Sequence, residues 1–267
     1  MPQRNGPDEA QVEQAEKLTS AEIYEVVRRY GDEELARSNS SLVWSGIAAG
    51  LLMSLSLLGE AILRTYLPDA QWRHLVENLG YSFGFIAVIL GRMQLFTENT
   101  LTTILPLMAK PTPRMAGNVL RLWSIVLGAN VAGTFVAAGF FAYTQAVPDE
   151  ILHALRELSE HAVLVPAGEG FVKAIPAGVL IAAIVWMLPQ AENVGLFVVL
   201  MFTWLIAAGD FAHIVAGSVE MAYLVVIGFI DADQAVGHFF VPVLAGNIVG
   251  GTAIFATLAW VQVHADI

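Results

Sequence analysis

The chain has 267 residues, of which 56% are hydrophobic and only 14% are charged, a composition far from that of an average soluble domain. Its net charge of −11 argues against a nucleic-acid partner, and the absence of cysteine excludes both a disulfide framework and a thiolate metal site. Several apolar runs are about 20 residues long, which is the length that crosses a bilayer. We therefore predict an all-α integral membrane protein that forms one compact bundle.

The first 40 residues are polar and rich in Glu, Gln and Arg. Within them, Thr19-Ser20-Ala21-Glu22 has the pattern of a capping box and predicts a short helix from Ile23 to Tyr30. We expect residues 1–40 to form a solvated cytoplasmic tail whose amphipathic helix lies on the membrane face. A regulatory plug is the alternative.

Six membrane passes are expected between residues 41 and 263, followed by a short C-terminal tail at 264–267. An amphipathic helix is expected from Asp149 to His161, and Pro176 is expected to kink the fourth pass. The predicted passes are Ser41 to Leu63, Leu79 to Phe96 with a continuation to Met108, Val119 to Ala142, Phe171 to Leu188, Val194 to Val215 with a continuation to Ile230, and Val236 to Val263.

Polar residues interrupt two of these passes. The first interruption runs from Gly91 to Thr100 and contains Arg92 and Glu98, and the second contains Gly209-Asp210 and His213. Charged groups at mid-depth are costly and usually face a cavity or a partner, so both passes are predicted to be broken helices shielded inside the bundle.

Basic residues predict the orientation, because an excess of Lys and Arg marks the cytoplasmic side. The tail and the loop after the second pass carry more of them than the opposite side, so both termini are expected to be cytoplasmic. The basic residues of the first group are Arg4, Lys17, Arg28, Arg29, Arg37, Lys110, Arg114 and Arg121, against Arg64, Arg73, Arg156 and Lys173 on the other side.

The two halves of the chain show the same arrangement. Phe96 in the first break precedes Asn130 by 34 residues, and His213 in the second break precedes Asn247 by the same number. Three passes in each half would insert the halves upside down relative to each other, which predicts an inverted 3+3 repeat with the solute path between the breaks. The two asparagines are expected to hold the backbone of the interrupted helices.

These fragments resemble the formate/nitrite transporter family. The resemblance lies in Leu95-Phe96-Thr97, Phe211-Ala212-His213 and Gly246-Asn247-Ile248-Val249-Gly250-Gly251, in that order on the broken helices and the last helix. It implies an aquaporin-like fold of six spans, a homopentamer with one pore per protomer, an inner-membrane location, and small monovalent anions as substrates. An aquaporin proper is disfavoured, because the chain contains no Asn-Pro-Ala motif.

The resemblance also implies that two apolar constrictions flank a central histidine, here His213, and that Leu95, Phe96 and Thr97 lie on the cytoplasmic side. By position, we expect Leu95 and Ile206 to contribute to the constrictions, and Phe211 to line the pore. The chain departs from the family where an Asn is often found, at Ala182, and where a basic residue is often found, near Pro166. With these departures the chain resembles a divergent branch of the family.

Our hypothesis for the mechanism is that a weak-acid anion gains a proton from His213 or from water and crosses as the neutral acid. A histidine with an ordinary pKa of about 6.5 exchanges protons near neutral pH, and an apolar constriction passes a neutral acid more readily than an ion. Arg92, Glu98, Asp210 and Glu220 all need partners, and the simplest expectation is one or two buried ion pairs, Arg92 with Glu98 or Asp210, that fix the breaks. Alternatively, Arg92 attracts an anion while the acids relay protons.

Three other functions remain open. A pore for a neutral or cationic solute is the first, and a membrane-embedded enzyme using His213, Asp210 and Glu98 is the second. No metalloprotease or nucleophile motif supports the enzyme, so we expect no catalytic residues, metal or cofactor. The third, a purely structural scaffold, leaves the broken helices unexplained. The expected partners are a small weak-acid substrate and the lipid bilayer.

Overall fold

The computed structural model describes residues 18–191 and 193–265, and every regular element in these ranges is helical. Residues 1–17 of the predicted tail and the last two residues of the predicted C-terminal tail lie outside the described residues. The helices are α1 Ser20–Ala36, α2 Asn39–Tyr66, α3 Arg73–Glu77, α4 Ser82–Leu90, α5 Phe96–Thr102, α6 Ile104–Ala109, α7 Pro113–Tyr143, α8 Asp149–Val163, α9 Ala167–Met187, α10 Gly195–Ala208, α11 Ile214–Val226 and α12 Ala232–His264.

Among the described residues, four helices are apolar and long enough to cross a membrane: α2, α7, α9 with its terminal turn to Gln190, and α12. The shortest of them has 24 residues and spans about 36 Å at 1.5 Å per residue. Each coincides with a predicted pass. The helix α9 continues through Pro176, and α12 contains two π-helical segments, Ala235–Phe240 and Val249–Ala256.

The remaining two predicted passes are broken helices, as the polar interruptions indicated. In the first, α4 ends at Leu90, and α5 begins at Phe96 and is followed directly by α6. In the second, α10 ends at Ala208 and α11 begins at Ile214. Five residues of extended or turned backbone therefore separate the two parts of each broken helix.

Close helix pairs frame the two breaks. The helix α2 packs on α7, and α9 packs on α12. A Cβ atom on Gly50 of α2 would lie 2.0 Å from the Asn130 carbonyl oxygen, and one on Gly178 of α9 would lie 2.3 Å from the Asn247 carbonyl oxygen. Only glycine permits this approach, which brings the two asparagine-bearing helices against their neighbours.

The N-terminal helix α1 begins at the predicted capping box, where the Thr19 side chain and Glu22 satisfy each other's backbone N–H groups. It continues beyond the predicted end at Tyr30 to Ala36. Its buried face packs against α5, α6 and the end of α12, so the helix covers one end of the bundle. Arg121 of α7 donates a hydrogen bond to the carbonyl of Leu35 and fixes the C-terminal end of α1.

Candidate functional site

The first break is held by hydrogen bonds from neighbouring helices. Asn130 of α7 accepts from the Phe96 N–H at 3.0 Å and donates to the carbonyl oxygens of Gly46 and Gln94 at 2.9 and 2.8 Å. Ser45 of α2 accepts from the Gln94 N–H at 3.0 Å. The backbone groups that the missing helical turn would have paired are thereby satisfied, as the membrane interior requires.

The second break has the same hydrogen-bond pattern. Asn247 of α12 accepts from the Ile214 N–H at 2.8 Å and donates to the carbonyl oxygens of Ala174 and Ala212 at 2.7 and 2.9 Å. The Ala212 N–H donates to the Lys173 carbonyl at 3.1 Å. One buried asparagine therefore ties each break to a long helix of the same half of the chain, α2 in the first half and α9 in the second.

The two breaks also share their backbone conformation. Arg92 and Asp210 both adopt the left-handed region, with φ of 51° and 52°, which is uncommon for residues other than glycine. Four residues after each, α5 and α11 begin, and the extended residues just before them are Leu95 and His213. His213 therefore occupies the same backbone position in the second break as Leu95 does in the first. The equal sequence spacing to the two asparagines paired His213 with Phe96, and the structure corrects this pairing by one residue.

His213 lies where the two breaks meet and is 1% exposed. Its Nε2 atom is 2.7 Å from the hydroxyl oxygen of Thr97, which comes from the first turn of α5. The ring of Phe85 packs against the imidazole edge, with the ring centroids 4.8 Å apart. The structure thus joins one predicted residue from each break by a direct hydrogen bond.

The hydrogen bonds of the imidazole define its tautomer. Nδ1 accepts from the backbone N–H of Ala216 at 3.2 Å, so that His213 caps the N-terminus of α11. Because a backbone N–H can only donate, Nδ1 carries no hydrogen, and in the neutral ring the hydrogen lies on Nε2. The ring then donates to Thr97, whose own hydroxyl hydrogen makes no other hydrogen bond among the described residues.

A cavity of about 420 Å³ reaches His213 from the face opposite α1. Phe211 and Asp210 line this cavity, together with groups from α2, α3, α8, α9 and α11. Five carboxyl groups but only two permanently cationic side chains face it: Glu60, Glu77, Glu157, Asp210 and Glu220, against Arg64 and Lys173. The cavity is therefore acidic overall.

The other predicted pore residues lie away from this cavity. Leu95 and Phe96 are each 1% exposed, and Phe96 packs edge-on against Trp123 at 5.5 Å between ring centroids. Ile206 is fully buried in α10, where its carbonyl accepts from the Phe211 N–H at 2.9 Å. These apolar side chains surround the breaks.

The predicted ion pairs at the breaks are wrong. Arg92 is exposed and forms no ion pair within the described ranges. Its left-handed backbone conformation and the turn after α4 leave the side chain outside the bundle. Asp210 instead lies 3.2 Å from His161 of α8, and Glu98, in the first turn of α5, has no ion-pair partner among the described residues.

Sequence reasoning missed Glu60, the most informative charge in the cavity. It lies in α2 inside an apolar run that was predicted to span the membrane, and it is 8% exposed. A carboxyl group within such a run was the available signal, because an ionisable residue inside a span marks a functional position. Tyr81 and Glu77, which also face the cavity, carried no comparable signal because they lie near the end of a pass.

Comparison with known proteins agrees with this architecture. The family model described as "Formate/nitrite transporter" matches residues 21–261. The inner membrane protein YfdC of Escherichia coli strain K12 is 45% identical over 244 residues, which cover 91% of this chain and 79% of that protein. The formate channel FocA of Haemophilus influenzae is 29% identical, over 78% of this chain and 81% of FocA.

A solved structure with the same fold is described as a pentameric formate channel with formate bound. It superposes with a TM-score of 0.72 over 85% of this chain and 98% of that channel, at 20% sequence identity. At this level of identity the likeness concerns the fold. The four long helices and the two broken ones thus belong to a known architecture.

Proposed function

The chain belongs to the formate/nitrite transporter family, and we propose that it is a membrane pore for small monovalent anions such as formate, nitrite or related weak acids. The observation that carries this proposal is the contact between His213 and Thr97 at 2.7 Å, where two helix breaks meet at the inner end of a cavity. The names of the curated relatives, one of them a formate channel, support the substrate class. The family model and the named channel relative favour a pore over an enzymatic role.

The pore is proposed to carry the weak acid in its neutral form. Apolar side chains surround both breaks, and a neutral acid enters such a region at far lower cost than an ion does. The Thr97 hydroxyl and the imidazole of His213 would supply the polar contacts at the centre. In this proposal each anion crosses together with one proton, and the central histidine contacts the protonated acid where the two breaks meet.

We further propose six membrane passes arranged as an inverted 3+3 repeat. This arrangement is supported by two features that both breaks share. Each contains one residue with left-handed backbone, and in each an asparagine side-chain oxygen accepts a hydrogen bond from a backbone N–H at the start of the following helix. Residues 41–263 form the transporter domain, between the tail at 1–40 and the tail at 264–267. The described chain ends meet on one face, where Gln262 donates to Ser20 at 2.9 Å, and this supports two termini on the cytoplasmic side of the inner membrane.

A homopentamer with one pore per protomer is proposed as the assembly. Large apolar side chains remain exposed along the bundle, among them Trp44 at 70% and Phe197 at 63% exposure. Such surfaces must face lipid or other copies of the chain. The pentameric formate channel of the same fold supports the copy number. Native mass spectrometry of the purified protein measures it directly.

One observation favours a second candidate substrate. The cavity presents five carboxyl groups and two permanent cations, and an acidic vestibule concentrates cations and repels anions. A small cation such as methylammonium, or a neutral solute, is therefore the alternative cargo.

The test is solute flux in proteoliposomes across pH 5 to 8, with formate, nitrite, lactate, methylammonium and glycerol, for the wild type and His213→Ala. Acid-stimulated anion flux that falls strongly in the variant supports the proposal. Anion flux that is unchanged in the variant contradicts the role of His213. Transport of methylammonium or glycerol without anion flux contradicts the substrate class while leaving the fold intact.

A further inference from the structure

Two buried carboxyl groups face the cavity without a partner. Glu60 comes from α2 and Glu220 from α11, two helices in contact, and each residue is 8% exposed. Both line the cavity that ends at His213. Neither side chain has a hydrogen bond or an ion pair within the described part of the chain, although every other acid that lines the cavity has a basic neighbour.

The permanent cations of the cavity are occupied by other acids. Arg64 lies 3.1 Å from Glu77 and 3.3 Å from Glu157. Lys173 lies 2.9 Å from Glu169 on the same helix. Both cations are more exposed than the two buried carboxyl groups, and neither Arg64 nor Lys173 lies within ion-pairing distance of Glu60 or Glu220.

The remaining titratable groups around the cavity also have other neighbours. His161 lies beside Asp210 at 3.2 Å, and His74 lies on α3 within 3.9 Å of Glu77. The Tyr81 phenol, which is neutral near pH 7, comes from the residue before α4 and lines the same space. A buried carboxylate without a positive partner is unfavourable and ordinarily takes up a proton instead.

His213 is poorly placed to supply that proton itself. Its Nδ1 accepts the Ala216 N–H, so a second ring proton would have to displace this hydrogen bond and remove the cap of α11. The N-terminus of α11 also carries a partial positive charge that opposes an imidazolium. The structure therefore separates the group that contacts the cargo at the centre from the groups able to hold a proton beside it.

We propose that Glu60 and Glu220 form the proton-loading site of the pore, a step that rests on the function proposed above. One carboxyl O–H transfers its proton to an oxygen of the incoming anion, which leaves a carboxylate and a neutral acid. The neutral acid moves past His213 and Thr97, and a hydronium ion that arrives through the cavity reprotonates the carboxylate and leaves as water. One proton thus crosses with each anion, without an oxidant or other co-reactant.

This site would provide the proton that the weak acid lacks at neutral pH. For a carboxylic acid whose pKa is near 4, about one molecule in a thousand is protonated at pH 7. A pair of acids in which one or both hold a proton at the inner end of the cavity supplies that proton in place to an anion that has already entered, so transport does not depend on the rare neutral molecules outside. It also removes the negative charge that would otherwise repel the anion from its path.

The test compares Glu60→Gln, Glu220→Gln and the double variant with wild type in proteoliposomes. Formate uptake and the proton entry reported by a pH dye inside the vesicles are both recorded from pH 5 to 8. Glu150→Gln is the matched control, because it removes an exposed carboxylate from α8 on the same face of the bundle as the cavity. Infrared difference spectra follow the C=O stretch of protonated carboxyl groups, and native mass spectrometry checks assembly.

At pH 7 we expect the formate flux of the double variant to be about tenfold lower than that of the wild type, or lower still. A loss of this size is smaller than the usual effect of removing a positioned general acid. The loss should shrink toward pH 5, the protonated-carboxyl band should weaken, and Glu220→Asp should keep much of the activity. An unchanged pH profile and band overturn the proposal, and so does an increase in anion flux, which would mean that the carboxylates merely repel. Wild-type protein without weak-acid flux instead refutes the proposed function, so the two failures are distinct.

Discussion

The asparagine at the second break offers a direct test of how the chain holds a non-helical segment inside a bundle. Asn247→Ala removes three hydrogen bonds at once, from the Ile214 N–H and to the carbonyl oxygens of Ala174 and Ala212. Asn247 is fully buried, so water does not replace the lost side chain. The substitution therefore leaves backbone groups of the break without their partners.

The expected cost follows from the number of bonds. Three buried hydrogen bonds at a net value of about 1 kcal/mol each give about 3 kcal/mol. The smaller average measured for side chains in membrane helices, about 0.6 kcal/mol, gives about 2 kcal/mol. We expect a loss of about 2–3 kcal/mol, concentrated at residues 209–214.

Hydrogen–deuterium exchange and thermal unfolding of the detergent-purified protein measure this loss. The Ile214 amide should exchange faster in Asn247→Ala, while the Phe96 amide, bound by Asn130, should be unchanged. Asn118→Ala is the control, because this half-buried side chain of α7 makes no hydrogen bond among the described residues. Equal melting temperatures and equal exchange at Ile214 in the two variants would refute the reasoning.

Three further outcomes are expected. Thr97→Val removes the hydrogen bond to His213 and should lower weak-acid flux about tenfold, the equivalent of one buried hydrogen bond, while Thr97→Ser keeps most of it in the same flux assay. Gly178→Ala places a Cβ 2.3 Å from a backbone oxygen and should lower the melting temperature through an overpacking cost of about 1–3 kcal/mol, whereas Gly168→Ala, with nothing within 4 Å, should not. Hydrogen bonds from two neighbouring arginines lower the pKa of Glu25 to about 2. The stabilisation that Glu25 gives to α1 is therefore present above the ordinary pKa of the carboxyl group and is lost as the pH falls through about 2, so it does not change between pH 5 and 8. Glu25→Gln should accordingly leave the shape of the flux profile over that range unchanged.

Much of the fold could be predicted from the sequence, because apolar length and polar interruption are local signals. The first pass was predicted from Ser41 to Leu63 and runs from Asn39 to Tyr66, and both broken helices are present. The N-terminal helix was predicted too short. Its buried positions Val27, Gly31 and Leu35 continue at four-residue spacing past the predicted end, so packing on the bundle extends it.

The electrostatics of the site could not be predicted in the same way. A charged residue within an apolar run is energetically costly and therefore marks a special position. Which residue it pairs with depends on how each helix is rotated and where the chain turns. Arg92 and Glu98 are six residues apart and belong to opposite ends of one break, yet only the arginine turns outward. The pairing of Asp210 with His161 and the shared cavity of Glu60 and Glu220 arise between segments far apart in the chain.

The centre of the protein combines a repeated scaffold with unlike side chains. The backbone places Leu95 and His213 in the same position, as the extended residue before the second part of each broken helix. An apolar residue there only packs, whereas an imidazole caps α11 through Nδ1 and still presents Nε2 to Thr97 of the other half. Because the cap holds the imidazole in one tautomer, His213 acts as a neutral hydrogen-bond donor at a fixed orientation. In our proposal the carboxyl groups of the cavity hold the proton instead.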